Sequence, residues 1–112
     1  MKRPRKSPTQ LSLEHLASQG VRADIVERRC GAFVTKDLFG FIDILGVDQL
    51  GKTIAVQTTT AGHMANRIAK IEHPDNHAAL VDVRRAGWRL YVHGWRWSKR
   101  KGKHVLRERD LS

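Results

Sequence analysis

Hydrophobic residues recur along this chain with two different periods, and the switches between them mark its elements. Over residues 9–19, Leu11, Leu13, Leu16 and Ala17 fall at spacings of three and five that share one broad helical face, and Gly20 supplies a stop. Alternation follows: Val21, Ala23 and Ile25 interleave with Arg22 and Asp24, which predicts a strand over 22–29. "CGAFVTKDLFG" keeps neither period and reads as a loop or irregular crossing. Two further strands are expected over 40–47 and 52–59, joined by a short hairpin turn containing Gly51. Met64, Ile68 and Ile71 return to spacings of four and three, predicting a helix over 62–72. Pro74 interrupts; Asp75 or Asn76 then caps another helix that stops at Gly87. "WRLYVHGWRW" alternates cleanly as a fourth strand, and "HVLRERDL" follows the turn "SKRKGK" as a fifth. The order α-β-β-β-α-α-β-β predicts a mixed α/β domain built on a central sheet. No internal repeat or heptad array is present.

One residue does not suit its place in this pattern. Asp43 lies inside "FGFIDILG", the most hydrophobic strand of the chain. A buried charge costs several kcal/mol, roughly, unless something pairs with it. Asp43 therefore faces water, takes up a proton, or holds a cation. Strand geometry narrows this choice. Phe41, Asp43 and Leu45 share one face of their strand, and Ala55, Gln57 and Thr59 share a face of the next. If the hairpin pairs them, a carboxylate, a carboxamide and a hydroxyl meet near the helix that begins at about Gly62. Hard oxygen donors of that kind suit magnesium or manganese.

Length and charge then bound the partners. A chain of 112 residues suits one small domain with one core, here 9–112 behind a flexible basic arm at 1–8. The single cysteine, Cys30, excludes a disulfide framework and any zinc site built on several cysteines, and a reducing cytoplasm is the natural expectation. No apolar run approaches the roughly 18 residues of a membrane span, and no membrane partner is expected. "MKRPRKSP" lacks the apolar stretch of a secretory signal. The formal net charge is +10, distributed unevenly. Residues 1–8 carry four basic side chains and no acid; 7–83 carry seven basic and nine acidic; 84–112 carry ten basic and two acidic. Two basic ends around a mildly acidic middle point to a polyanion, with nucleic acid ahead of an anionic membrane.

These residues resemble the core of the PD-(D/E)XK nucleases. The shared features are a strand carrying an Asp in "KDLFGFIDILGV", a turn, the polar-x-polar pair in "IAVQTTT", and the helix "HMANRIAKI". Within that superfamily the chain is most similar, over about residues 9–95, to small archaeal-type Holliday junction resolvases and related phage or bacterial proteins. The resemblance implies a restriction-endonuclease-like fold, magnesium or manganese as cofactor, and phosphodiester hydrolysis by a metal-activated water. It implies a homodimer acting on branched or duplex DNA in a prokaryotic cytoplasm, in a bacterial or phage setting. The family's metal-binding Asp falls on Asp43, its helix-one acid on Glu14, the acid of E-x-K on Gln57, and its lysine on Thr59. The last two are departures. A glutamine oxygen still ligates a metal but brings no charge, and threonine cannot do a lysine's work. Arg67 and Lys70, on the following helix, and Lys36 are candidate replacement cations. The alternatives are a non-catalytic DNA-binding protein on the same fold and a basic RNA-binding protein.

Other residues are assigned from their setting. Asp37 turns the "TKDLFG" loop or reaches the metal as a second acid, and Glu27 reads as a surface residue of a charged strand. His63, at a helix start, could contact phosphate. His73 and His77 are four apart, but Pro74 lies between them and no third ligand completes a zinc set. In the C-terminal run, Trp88, Tyr91, Trp95 and Trp97 interleave with Arg89, Arg96, Lys99, Arg100, Lys101 and Lys103. Some of these aromatics belong to the core and others could stack on bases. The "SKRKGK" turn is assigned to phosphate contact.

Overall fold

The computed structural model describes residues 5–112; the first half of the expected basic arm, 1–4, lies outside the described residues. Helix α1 runs Pro8–Ser18, with Pro8 at its first position and the Ser7 hydroxyl accepting from the Gln10 amide at 3.1 Å. Gly20, at φ 76, closes the helix in the left-handed conformation, as a residue past a C-cap does. The strands are β1 Arg22–Ile25, β2 Arg28–Arg29, β3 Thr35–Lys36, β4 Ile44–Val47 and β5 Thr53–Thr60. A 3-10 turn, Ala61–His63, leads into α2, Met64–Ile71. After a second such turn, Pro74–Asn76, come α3 His77–Arg85, β6 Arg89–Ser98 and β7 Lys103–Asp110.

Five strands form one mixed sheet in the order β1-β4-β5-β6-β7. β5 and β6 are parallel, and every other neighbouring pair is antiparallel. The parallel pair requires a crossover, which α2 and α3 supply. Helices cover both faces. Phe41, Ala55, Met64, Ile71, Leu80, Val83, Leu90 and Val92 pack between the sheet and α2/α3. Leu16 of α1 packs on Ile44, Ile54 and Val56 on the opposite face. Double coverage explains why β5 is buried almost without alternation, from Ile54 through Thr59.

A buried polar chain fastens α1 to the sheet. The Trp95 indole N–H donates to Ser12 Oγ at 2.8 Å, Ser12 Oγ lies 2.9 Å from His93 Nδ1, and His93 Nε2 lies 2.8 Å from Glu108 Oε2. Burial pushes the His93 imidazole below its ordinary pKa, while Glu108 opposes the shift. The Trp95 polar atom is thus committed inside the fold.

Three sequence expectations are corrected. The strand expected over 22–29 is two short strands with a break at Val26 and Glu27. The strand expected over 40–47 starts only at Ile44, because residues 37–42 make a tight loop with Phe39 at φ 57 and Gly40 at φ 84. The stretch read as an irregular loop contains half of a separate hairpin, Arg28↔Lys36 and Arg29↔Thr35. Among the described residues no helix is long and apolar enough to cross a membrane.

Candidate functional site: an acidic cleft at the end of the sheet

The strands that build the site converge at one end of the sheet. Ile25 at the end of β1 pairs with Ile44 at the start of β4, and Ile44 pairs with Val56 of β5. Asp43, one residue before β4, continues this ladder: its N–H donates to the Val56 carbonyl and its carbonyl accepts from the Val26 N–H, both at 2.9 Å. Its backbone is therefore fixed on both sides, and its carboxylate lies where β5 leaves the core.

That carboxylate is 6% exposed. Its Oδ2 accepts from Gln57 Nε2 at 2.5 Å, the Thr58 amide at 2.8 Å and Thr58 Oγ1 at 3.1 Å. Thr58 in turn meets Thr9 of α1, oxygen to oxygen, at 2.8 Å. Three donors favour the ionised form, yet burial outweighs them. Burial, with Asp37 beside it, raises the Asp43 pKa from 3.8 to about 7.

Asp37 and Glu27 complete the cluster. Each of Glu27, Asp37 and Asp43 offers a carboxylate oxygen within 4.8 Å of the others'. Glu27 lies in the break between β1 and β2, directly before β2, and Asp37 begins the tight loop that returns the chain to Asp43. The loop is pinned by Gly40 N–H to Asp37 carbonyl at 3.0 Å and Ile42 N–H to Leu38 carbonyl at 3.0 Å. A Cβ at Gly40 would lie 3.3 Å from Asn76 Oδ1, so bulk as well as φ restricts that position. Among the described residues, none of the three acids is ion-paired with a cation.

These groups line a cleft of about 720 Å³, together with Gln57, Thr59, Lys36, His63, Arg67 and Lys70. Gln57 is 2% exposed, and its Oε1 is the one buried side-chain polar atom among the described residues that lacks a partner. Such an orphan is costly unless a donor or cation satisfies it. Three carboxylates beside an orphaned carboxamide oxygen form a hard-oxygen donor set of the kind that could hold magnesium or manganese.

The structure thus places Asp43, Gln57, Thr59, Lys36, His63, Arg67 and Lys70 in one cleft. Glu14 is not among them and is a correction. α1 turns Leu11, Ser12 and Leu16 inward, leaving Glu14 exposed and held by Lys6 at 2.7 Å. It borders a separate depression with His15, Trp95, Lys101 and Lys103. Glu27, read from sequence as a surface residue of a charged strand, is exposed as expected but lies in the break between β1 and β2 and lines the cleft, and Thr58 was missed. The single hint was polarity: "QTTT" is an unusual run to bury in a central strand.

Arg96, Lys99, Arg100, Lys101 and Lys103 are exposed on the β6–β7 hairpin. β6 runs parallel to β5 and pairs Trp95 with Thr60, so Arg96 to Ser98 continue past the end of β5 where the cleft opens. Comparisons of the chain with protein-family models, curated proteins and solved structures return no match.

Proposed function

We propose that this protein is a metal-dependent DNA endonuclease of restriction-endonuclease-like fold, acting on duplex or branched DNA. The observation that carries the reading is the acidic cleft: three carboxylates within 4.8 Å of one another, one of them buried, beside the orphaned Gln57 oxygen. Topology supports it: α1, an antiparallel β1-β4-β5 unit, α2, and a later strand parallel to β5 match the order expected for that core.

Asp43, Asp37, Glu27 and the Gln57 carboxamide would hold magnesium or manganese. When bound, the ion would supply a water of lowered pKa and charge neutralisation at the phosphate. The protein's own groups do the rest. Thr58 and the Gln57 carboxamide N–H orient Asp43 by donating to its Oδ2. Burial keeps Asp43 partly protonated near neutral pH, so cation loading releases a proton and strengthens as pH rises through about 7. Arg67 and Lys70 line the cleft and take the place of the lysine absent at Thr59, binding a substrate phosphate and stabilising charge that develops on it. The β6–β7 hairpin gives phosphate contacts outside the cleft. Two nicks on a branched substrate need two such sites, which a homodimer would provide.

A second reading, a DNA-binding protein without chemistry, is favoured by Thr59, which is 6% exposed and carries no charge. Incubation with linear, single-stranded and four-way-junction DNA in magnesium, manganese or chelator separates the two. Cutting that requires the cation is expected; tight, salt-sensitive binding with no cutting in any condition would favour the second reading.

A further inference from the structure

The β2–β3 hairpin has no counterpart in the sheet it leaves. It is a two-stranded unit with its own register and closes with Cys30 N–H to Val34 carbonyl at 2.7 Å. Its tip carries Phe33, 99% exposed, and Val34, about half exposed. Phe33 is the most exposed large apolar side chain among the described residues, so its ring is available to a partner. Arg28, Arg29 and Lys36 are exposed beside the tip, and no acid lies between 28 and 36.

Position adds the second half of the argument. The residue before the hairpin is Glu27 and the residue after it is Asp37, two of the three clustered acids. The end of β1 and the end of β5 lie at the same end of the sheet, so this hairpin and the β6–β7 hairpin both leave from the end where the cleft opens. β1 and β7 are the two edges of the sheet, about 19 Å apart at strand spacing. The cleft is therefore flanked by a basic hairpin on each side.

We propose that the β2–β3 hairpin is a wedge that enters duplex DNA, with Phe33 inserted at a base step next to the phosphate held in the cleft. This rests on the proposed function, since it takes DNA as the polyanion. An apolar side chain between stacked bases, with cations at its base on the flanking phosphates, is how proteins unstack and kink a duplex. The charge pattern matches: Arg28, Arg29 and Lys36 would meet phosphates while the uncharged tip meets bases. The hairpin is already ordered, so little conformational freedom is lost on insertion. A kink there would present one phosphodiester to the acids that bracket the hairpin.

The test uses the full chain with calcium and a duplex carrying 2-aminopurine, whose fluorescence rises on unstacking. Wild type should bind and raise the signal. Phe33→Ala should bind roughly tenfold more weakly and lose the signal, and Phe33→Trp should restore it. Because the side chain touches solvent on all sides, these changes leave the fold intact. Arg28→Ala with Arg29→Ala should instead flatten the salt dependence of binding. If wild type binds DNA and Phe33→Ala gives the same affinity and signal, the wedge is refuted while the proposed function stands. If wild type binds no DNA, both fall. If Phe33→Ala instead converts a dimer to a monomer in sedimentation without changing the signal, the tip is a contact between copies and the wedge is refuted.

Discussion

Replacing Asp43 by Asn removes a carboxyl that burial and Asp37 hold at a pKa of about 7, against 3.8 for an ordinary aspartate. At about 1.4 kcal/mol per pK unit, the difference corresponds to roughly 4 kcal/mol. Water penetration and adjustment of the half-buried Asp37 reduce it, and about 2–4 kcal/mol is expected. The sign follows from the order of the pKa values. The folded value is above the unfolded one, so the contribution is fully present below about pH 4 and lost as pH rises through about 7. The metal-free protein at pH 8 thus carries a buried, ionised carboxylate with no cation. Asn keeps an oxygen for the Thr58 and Gln57 donors but never ionises. The assay is urea unfolding in chelator, read by the fluorescence of Trp88, Trp95 and Trp97, for both proteins from pH 4 to pH 8. The remaining titrating groups are common to both, so the difference between midpoints reports Asp43 together with its neighbour Asp37. Asp43→Asn should gain on wild type by about 2–4 kcal/mol across that range. Manganese at pH 8 should then restore wild type and leave the variant unchanged. A difference that stays constant with pH, or that moves in favour of wild type, would refute this account of the site.

Glu27→Gln should raise the manganese concentration needed for cutting by an order of magnitude or so, whereas Glu14→Gln should leave it unchanged; titration of cleavage against manganese compares them directly. A Cβ at Gly94 of β6 would run into the Met64 side chain and the Ala61 backbone, where α2 begins above the cleft. Gly94→Ala should lower stability by about 1–3 kcal/mol, measured as a urea midpoint shift at unchanged slope. Neutralising Lys99, Arg100, Lys101 and Lys103 together should weaken DNA binding and lower the slope of log affinity against log salt by roughly three to four.

Much of the fold was legible because its signals are local. The apolar spacing of Met64, Ile68 and Ile71, the glycine stops at Gly20 and Gly87, and the alternation of 88–97 each mark an element without reference to the rest of the chain. The β2–β3 hairpin was hidden because two strands of two residues carry no period, and its exposed apolar tip breaks the usual contrast between strand and turn. Asp43 was conspicuous since a carboxylate amid Phe41, Ile42 and Ile44 violates the pattern around it. Glu27 and Asp37 violate nothing locally. What brings them to Asp43 is the end of β1 and the left-handed turn at Phe39 and Gly40, a tertiary arrangement that spacing alone does not encode. Glu14 failed for the reverse reason. The resemblance alone put a ligand there, and the helix's rotation is set by which face buries Leu11, Ser12 and Leu16.

The most direct test of the cleft as a catalytic metal centre is the cleavage rate of Asp43→Ala against wild type in manganese, at DNA concentrations that saturate both. The account predicts that the variant binds DNA nearly as well, since the proposed phosphate contacts lie on other residues, and that its cutting falls to the level seen with chelator. A variant that cuts at the wild-type rate would contradict it.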